Sequence, residues 1–231
     1  DTGSGTSESS PWCTFARAMQ SSVIAGATVY VKNGTYSIAT DNGFSPMNTG
    51  TAGNPIAYRA YTPPSGPRHT PVIQNTSDDD GTIGNAGQAF RIATDYIVLD
   101  GFTTGAYDGV LVFGALSDDV TGTVIENMHI QPGASIPTVC GNNNYAAIWL
   151  HETSGTVIQN NRIHDVRYTG CAAKNANGIL LYDSTNTTIR NNEIYNSHTA
   201  LSDKEGSQYT TFELNYVHDI TTSNSNGSAI F

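Results

Sequence analysis

Residues 124–130 read VIENMHI, and the same pattern returns as VIQNNRI at 157–163, TIRNNEI at 188–194 and TFELNYV at 211–217. The four segments superpose without gaps. Ile125, Ile158, Ile189 and Phe212 share one apolar position, and Ile130, Ile163, Ile194 and Val217 share another. Between them lies a second set of short alternating segments: AIWLHE (147–152), GILLYD (178–183), TALSDK (199–204) and the terminal GSAIF (227–231). Period-two alternation marks each as a strand with one buried face. Several short strands per turn, with turns of about 21 to 33 residues and Gly/Asn/Ser corners, form the pattern of a parallel β-helix. An antiparallel sandwich would show regular hairpin signals instead.

Asparagine follows the same period. Asn161, Asn192 and Asn215 occupy one repeat position, and Asn127, Asn160 and Asn191 the one before it. Stacked coils would place these amides about 4.8 Å apart, close enough for a side-chain ladder. Asn also tolerates left-handed corners, so its expected role here is structural.

Earlier coils are legible in ATVYVKNGTYSI, NPIAYRAY, TPVIQ, QAFRIATDYIVLDGFTTG and DGVLVF. AYTPPSGPRHTP reads as a loop, since strand patterns continue on both sides of it. Upstream, SSPWCTFARAMQSSV places Trp12, Phe15, Ala16, Met19 and Val23 at helical spacing, with Ser10 as N-cap and Pro11 in the first turn. The expectation is an amphipathic helix over 10–24 that closes one end of a single 1–231 solenoid domain. The final GSAIF starts another coil with nothing after it to close the end. Either the chain continues beyond this piece or a second copy stacks there in a filament.

Composition limits the partners. Ten Lys and Arg against twenty Asp and Glu give a formal net charge of −10. That leaves no basic footprint for nucleic acid or an anionic membrane. No stretch approaches the roughly 18 to 20 apolar residues of a membrane-spanning helix. Sequons at Asn33, Asn75, Asn186 and Asn226 are compatible with an extracellular, secreted or surface-exposed product, though chance matches are frequent in so Asn/Thr-rich a chain. Any secretion signal has been removed or lies outside this numbering.

Three cysteines are too few for a disulfide scaffold and lack metal spacing. Cys140 and Cys171 fall at nearly the same place in the long loops of adjacent coils, which predicts a disulfide between them; two free thiols are the alternative. Cys13 is expected to be a buried thiol on the cap helix.

Through GTSESSPWCTFARAM, GATVYVKNGTYS, GTAGNPIAYRAY, YIVLDGF and the NN-x-I coils, the chain resembles right-handed parallel β-helix proteins of the polysaccharide lyase (pectin lyase-like) superfamily. The resemblance covers essentially the whole chain. It is specific for the superfamily rather than for one activity, because the fold also serves hydrolases, epimerases and adhesins.

A β-eliminating lyase needs a base for the proton α to a uronate carboxylate, and a cation to neutralise that carboxylate. In the chondroitinase B and alginate lyase family a strand lysine is the base, an arginine assists and acidic residues hold Ca²⁺. SDKEGSQYTTFELN looks like the region carrying that lysine, with Lys204 in its place. Where that family has acidic ligands, this chain has Ser197, His198 and Thr199, and no arginine follows Arg190.

Aligning the second strand set puts His151, Tyr182 and Asp203 in one outward row and Glu152, Asp183 and Lys204 in the next. Lys204, His151 and Tyr182 are the candidate catalytic groups. Glu152, Asp183 and Asp203 are candidate substrate contacts, which would take Ca²⁺ if a cation is used. The competing reading is a structural ion-pair ladder in which Lys204 is an ordinary surface lysine. Leu111, Trp149, Leu180 and Leu201 form an outward apolar row that is either roofed by loops or exposed, with Trp149 then able to stack on a sugar.

Two functions follow from these readings: a lyase-like protein that binds or cleaves an extracellular uronate polysaccharide, and a non-catalytic structural or adhesive β-helix that assembles head to tail.

Overall fold

The computed structural model describes residues 2–20, 22–40, 42–76, 87–106, 109–115, 118–132, 145–167 and 176–220. Cys140, Cys171 and the terminal GSAIF lie outside them.

The chain coils so that equivalent strands pair in parallel in three sheets. The first runs Thr28–Val31, Ile56–Ala60, Ile97–Asp100, Val124–Glu126, Val157–Gln159, Thr188–Arg190 and Thr211–Glu213. The second runs Thr35–Ile38, Val72–Asn75, Thr103–Ala106, His129–Pro132, Arg162–His164, Glu193–Tyr195 and Tyr216–His218. The third contains Phe90–Ile92, Val110–Phe113, Tyr145–Ser154, Ala176–Thr185 and Thr199–Lys204, with Val120–Thr121 paired beside it. This is the expected parallel β-helix. Ile125, Ile158, Ile189 and Phe212 are register partners, as are Ile130, Ile163, Ile194 and Val217.

Each coil contributes inward residues to one continuous core. Ile125, Ile158, Ile163, Ile179, Ile189 and Ile194 are fully buried there. Such stacking removes apolar area at roughly 25 cal/mol per Å², the main favourable term in folding. Gly178 shows how tightly the coils meet. A Cβ on it would sit 2.8 Å from Ile194 Cγ2 and 2.9 Å from the Ala200 carbonyl oxygen. Gly178→Ala is therefore expected to destabilise by about 1–3 kcal/mol through overpacking, measurable by denaturant unfolding.

Between the first and second sheets the chain turns through left-handed corners. Asn127, Asn160 and Asn191 have φ of 55°, 56° and 55°. One residue later, Asn161, Asn192 and Asn215 point inward and form the expected ladder. Asn192 Oδ1 accepts from Asn161 N at 3.0 Å and Asn161 Nδ2 at 2.9 Å, and Asn215 Oδ1 does the same for Asn192 at 2.9 and 3.0 Å. Their Nδ2 groups also donate to the carbonyls of Ile125, Ile158 and Ile189.

The cap differs from the expectation of a helix over 10–24. Among the described residues of that span only Phe15–Ala18 is helical, with Thr14 rather than Ser10 at the N-cap. Ser22, whose hydroxyl competes for backbone hydrogen bonds, follows shortly after, and so short a helix persists only by packing. Phe15, Met19 and Val23 are buried as their spacing implied, whereas Ala16 is exposed, Trp12 is half-buried and Ala18 is buried instead. Phe15 meets Phe44 at a ring-centroid distance of 4.8 Å and Phe102 at 5.8 Å. Cys13 precedes the helix and is exposed rather than buried.

Candidate functional site

The outer face of the third sheet carries two adjoining rows. In the first, Trp149 is in register with Leu111 and Leu180. These three pack with Ala146 in a cluster separate from the solenoid core. Trp149 is only 4% exposed, so this row is covered, and Trp149 is not an open platform for a sugar.

The second row runs Phe113, His151, Tyr182 and Lys204. This corrects the alignment read from sequence. Leu201, not Ala200, is the partner of Ile179, so every residue of Thr199–Lys204 moves by one. Ala200 and Leu201 are both apolar and both join the solenoid core, so alternation alone does not fix the phase of this strand. Leu201 thus leaves the outward apolar row, and Ser202 replaces it beside Leu180, where its hydroxyl donates to Asn177 Oδ1 at 2.6 Å. Asp203 pairs with Leu181 rather than Tyr182. The slip brings His151, Tyr182 and Lys204 into one row.

Contacts along that row are between rings and cations. The Phe113 and His151 rings stack at 4.8 Å with 8° between planes, and Tyr182 lies 6.1 Å from His151. Lys204 Nζ lies 5.7 Å from the Tyr182 ring centroid. At the opposite end the Arg91 guanidinium lies 5.6 Å from the Phe113 ring. Three rings therefore separate two cations, each held over an aromatic face as ring quadrupoles favour. Sequence reading missed Arg91 and Phe113. Their signal was the outward phase of the alternating FRI and VLVF segments.

Polar atoms here lack partners. Trp149 Nε1 and His151 Nδ1 are buried without a hydrogen bond, as is Asp203 Oδ1 on the neighbouring strand. The Glu152 carboxylate lies 3.7 Å from His151 Nδ1, beyond hydrogen-bonding range.

The carboxylates follow at the corner. Glu152 is the register neighbour of Asp183, whose amide donates to the Glu205 carbonyl, so the row reads Glu152, Asp183, Glu205 rather than ending in Lys204. All three have positive φ, at 53°, 45° and 22°. Glu152 is buried, whereas Asp183 and Glu205 are exposed. Among the described residues no three His, Cys, Asp or Glu are arranged to hold a metal ion. The expected Ca²⁺ ligands therefore do not converge, and no step below uses a metal.

The outer face of the first sheet is internally paired. Asp100 accepts from Arg59 at 2.5 Å and Arg68 at 2.6 Å, Gln159 donates to Glu126 at 2.7 Å, and Arg190 donates to Gln159 at 2.8 Å. This is a ladder of the structural kind.

Compared with known proteins, the chain is similar in structure to the alginate lyase of Paenibacillus sp. str. FPU-7, with a TM-score of 0.65 and 18% identity over 89% of this chain and 65% of that one. It is also similar to pectate lyase Pel9A, with a TM-score of 0.65 and 18% identity over 93% of this chain and 55% of that one. It thus spans less than two thirds of the length of either lyase. At this identity the likeness is one of fold. No curated protein matches it by sequence. Residues 105–231, more than half the chain, match the family described as right handed beta helix region, and the protein belongs to that family.

Proposed function

We infer that the outer face of the third sheet binds an extracellular uronate polysaccharide and cleaves it by β-elimination, with Lys204 as the base. The observation that carries this reading is the row itself: Lys204, Tyr182 and His151 are neighbours on one outward face. The likeness in fold to an alginate lyase and a pectate lyase supports it.

In the reaction the neutral amine of Lys204 takes the proton α to the uronate carboxylate. The freed electron pair forms the new C=C bond, and the glycosidic oxygen departs with its bonding pair. Tyr182, next to Lys204, can supply the proton that the leaving oxygen needs. Arg91 offers a second cation to an acidic chain laid along the row. The overall charge of −10 opposes a polyanion, so binding depends on these local cations and weakens with salt.

Electrophoresis through gels containing polygalacturonate, alginate or a neutral glucan tests the binding step. Retardation is expected in one of the acidic gels and not in the neutral one, and its loss is expected in the Arg91→Ala, Lys204→Ala double variant. Equal mobility in every gel would contradict the reading and favour a structural or adhesive β-helix.

A further inference from the structure

The outer face of the second sheet carries different chemistry. His129, Arg162, Glu193 and Tyr216 form one row, and His164, Tyr195 and His218 form the next. His164 stacks on Tyr195 at 4.8 Å and 15°, and Tyr195 on His218 at 4.9 Å and 7°. Rings stacked along a sheet cover one another's faces and turn their edges outward. The face therefore offers ring nitrogens rather than a platform for a sugar.

The histidines are oriented. His164 Nδ1 lies 2.7 Å from Asp165 Oδ2, a carboxylate on a left-handed corner that Asn196 also binds. A carboxylate at Nδ1 keeps the proton there and leaves Nε2 with its lone pair. That Nε2 lies 2.6 Å from His129 Nε2. One proton thus stands between two converging imidazole nitrogens.

We propose that the facing Nε2 atoms of His129 and His164 form a binding site for a borderline divalent transition metal, Zn²⁺ or Cu²⁺. On binding, His129 moves its proton from Nε2 to Nδ1, its other neutral tautomer. Both nitrogens then donate lone pairs with no net proton released. Metal–nitrogen bonds of about 2.0–2.1 Å require only a small opening of the pair. Water completes the coordination from an open groove of about 520 Å³ beside His129, lined by Asn127, Asn160, Arg162, Asn191 and Glu193.

The surrounding charges permit a dication. Asp165 and Glu193 are acidic, and Arg162 is engaged, with Nε 3.4 Å from Glu193 Oε2 and its guanidinium 5.3 Å from the Tyr195 ring. His218 has both nitrogens committed, Nδ1 to Asp219 at 2.8 Å and Nε2 towards Glu193 at 3.4 Å, and is not a ligand. With two protein ligands the site selects nitrogen-preferring metals and not Ca²⁺, which takes oxygen donors. It is independent of the proposed lyase activity.

The test is titration of the chelator-treated 231-residue chain with Cu²⁺, read by calorimetry and by electron paramagnetic resonance. One Cu²⁺ coupled to two imidazole nitrogens is expected. His129→Ala and His164→Ala should each weaken binding at least about tenfold, and Asp165→Asn by up to about 100-fold through loss of the orienting carboxylate. His218→Ala should leave affinity unchanged. If an alanine variant does not fold, His129→Gln, which keeps a polar group in that half-buried position, carries the test. No Cu²⁺ binding by the unaltered chain, equal affinity in the His129 variants, or loss in His218→Ala would each overturn the proposal.

Discussion

Asn192→Ala is expected to destabilise the protein by about 2–5 kcal/mol, because it leaves buried polar groups unpaired on the preceding coil. The side chain is 1% exposed. Its Oδ1 serves the Asn161 backbone and side chain, and its Nδ2 serves the Ile158 carbonyl and Asn215 Oδ1. Removing it strands the buried Asn161 N–H and the Ile158 carbonyl, both on the preceding coil, and takes one donor from Asn215 Oδ1 on the following one. Asn192→Asp keeps the volume but aims a carboxylate oxygen at the Ile158 carbonyl and Asn215 Oδ1, so it should be no better tolerated than alanine. Asn191→Gly, one residue earlier on an exposed corner with φ of 55°, should change stability by less than about 1 kcal/mol, since glycine enters that region freely. Denaturant unfolding of the three variants reads the contrast directly.

That contrast shows what sequence can reveal about this fold. The NN-x-I coils were legible because both asparagines are fixed by position, one by the corner's handedness and the next by the interior ladder. The isoleucines around them admit one register only, since a slip by one residue would turn every apolar side chain outward. Thr199–Lys204 lacks that protection. Ala200 and Leu201 are both apolar and both buried in the core, so alternation cannot tell which of them pairs with Ile179. The one-residue difference moved Lys204 from the row of carboxylates to the row of His151 and Tyr182. Arg91 and Phe113 were legible only as outward-facing residues: they join the site by stacking from earlier coils, and no local motif signals a contact of that kind. The cap was overextended because helical spacing is satisfied by one turn of Phe15–Ala18 as well as by several.

Lys204→Ala is expected to lower polysaccharide turnover by about 10²- to 10⁴-fold, the usual contribution of a positioned proton-transfer group. Lys204→Arg separates the base from the positive charge. Arginine keeps a cation over the Tyr182 ring but does not give up its proton, so the variant should bind substrate and remain as inactive as alanine. A lysine that only attracts an acidic chain would instead be rescued by arginine. Tyr182→Phe retains the ring beneath Lys204 and removes the hydroxyl, so its loss of turnover should appear in kcat rather than in KM.

The most direct measurement is the ultraviolet absorbance of the unsaturated sugar formed by β-elimination, followed during incubation with polygalacturonate and alginate. The account predicts that absorbance rises with the unaltered protein on at least one of them and stays flat with Lys204→Ala and Lys204→Arg. A flat trace for the unaltered protein on both, or an equal rise with Lys204→Ala, would contradict it.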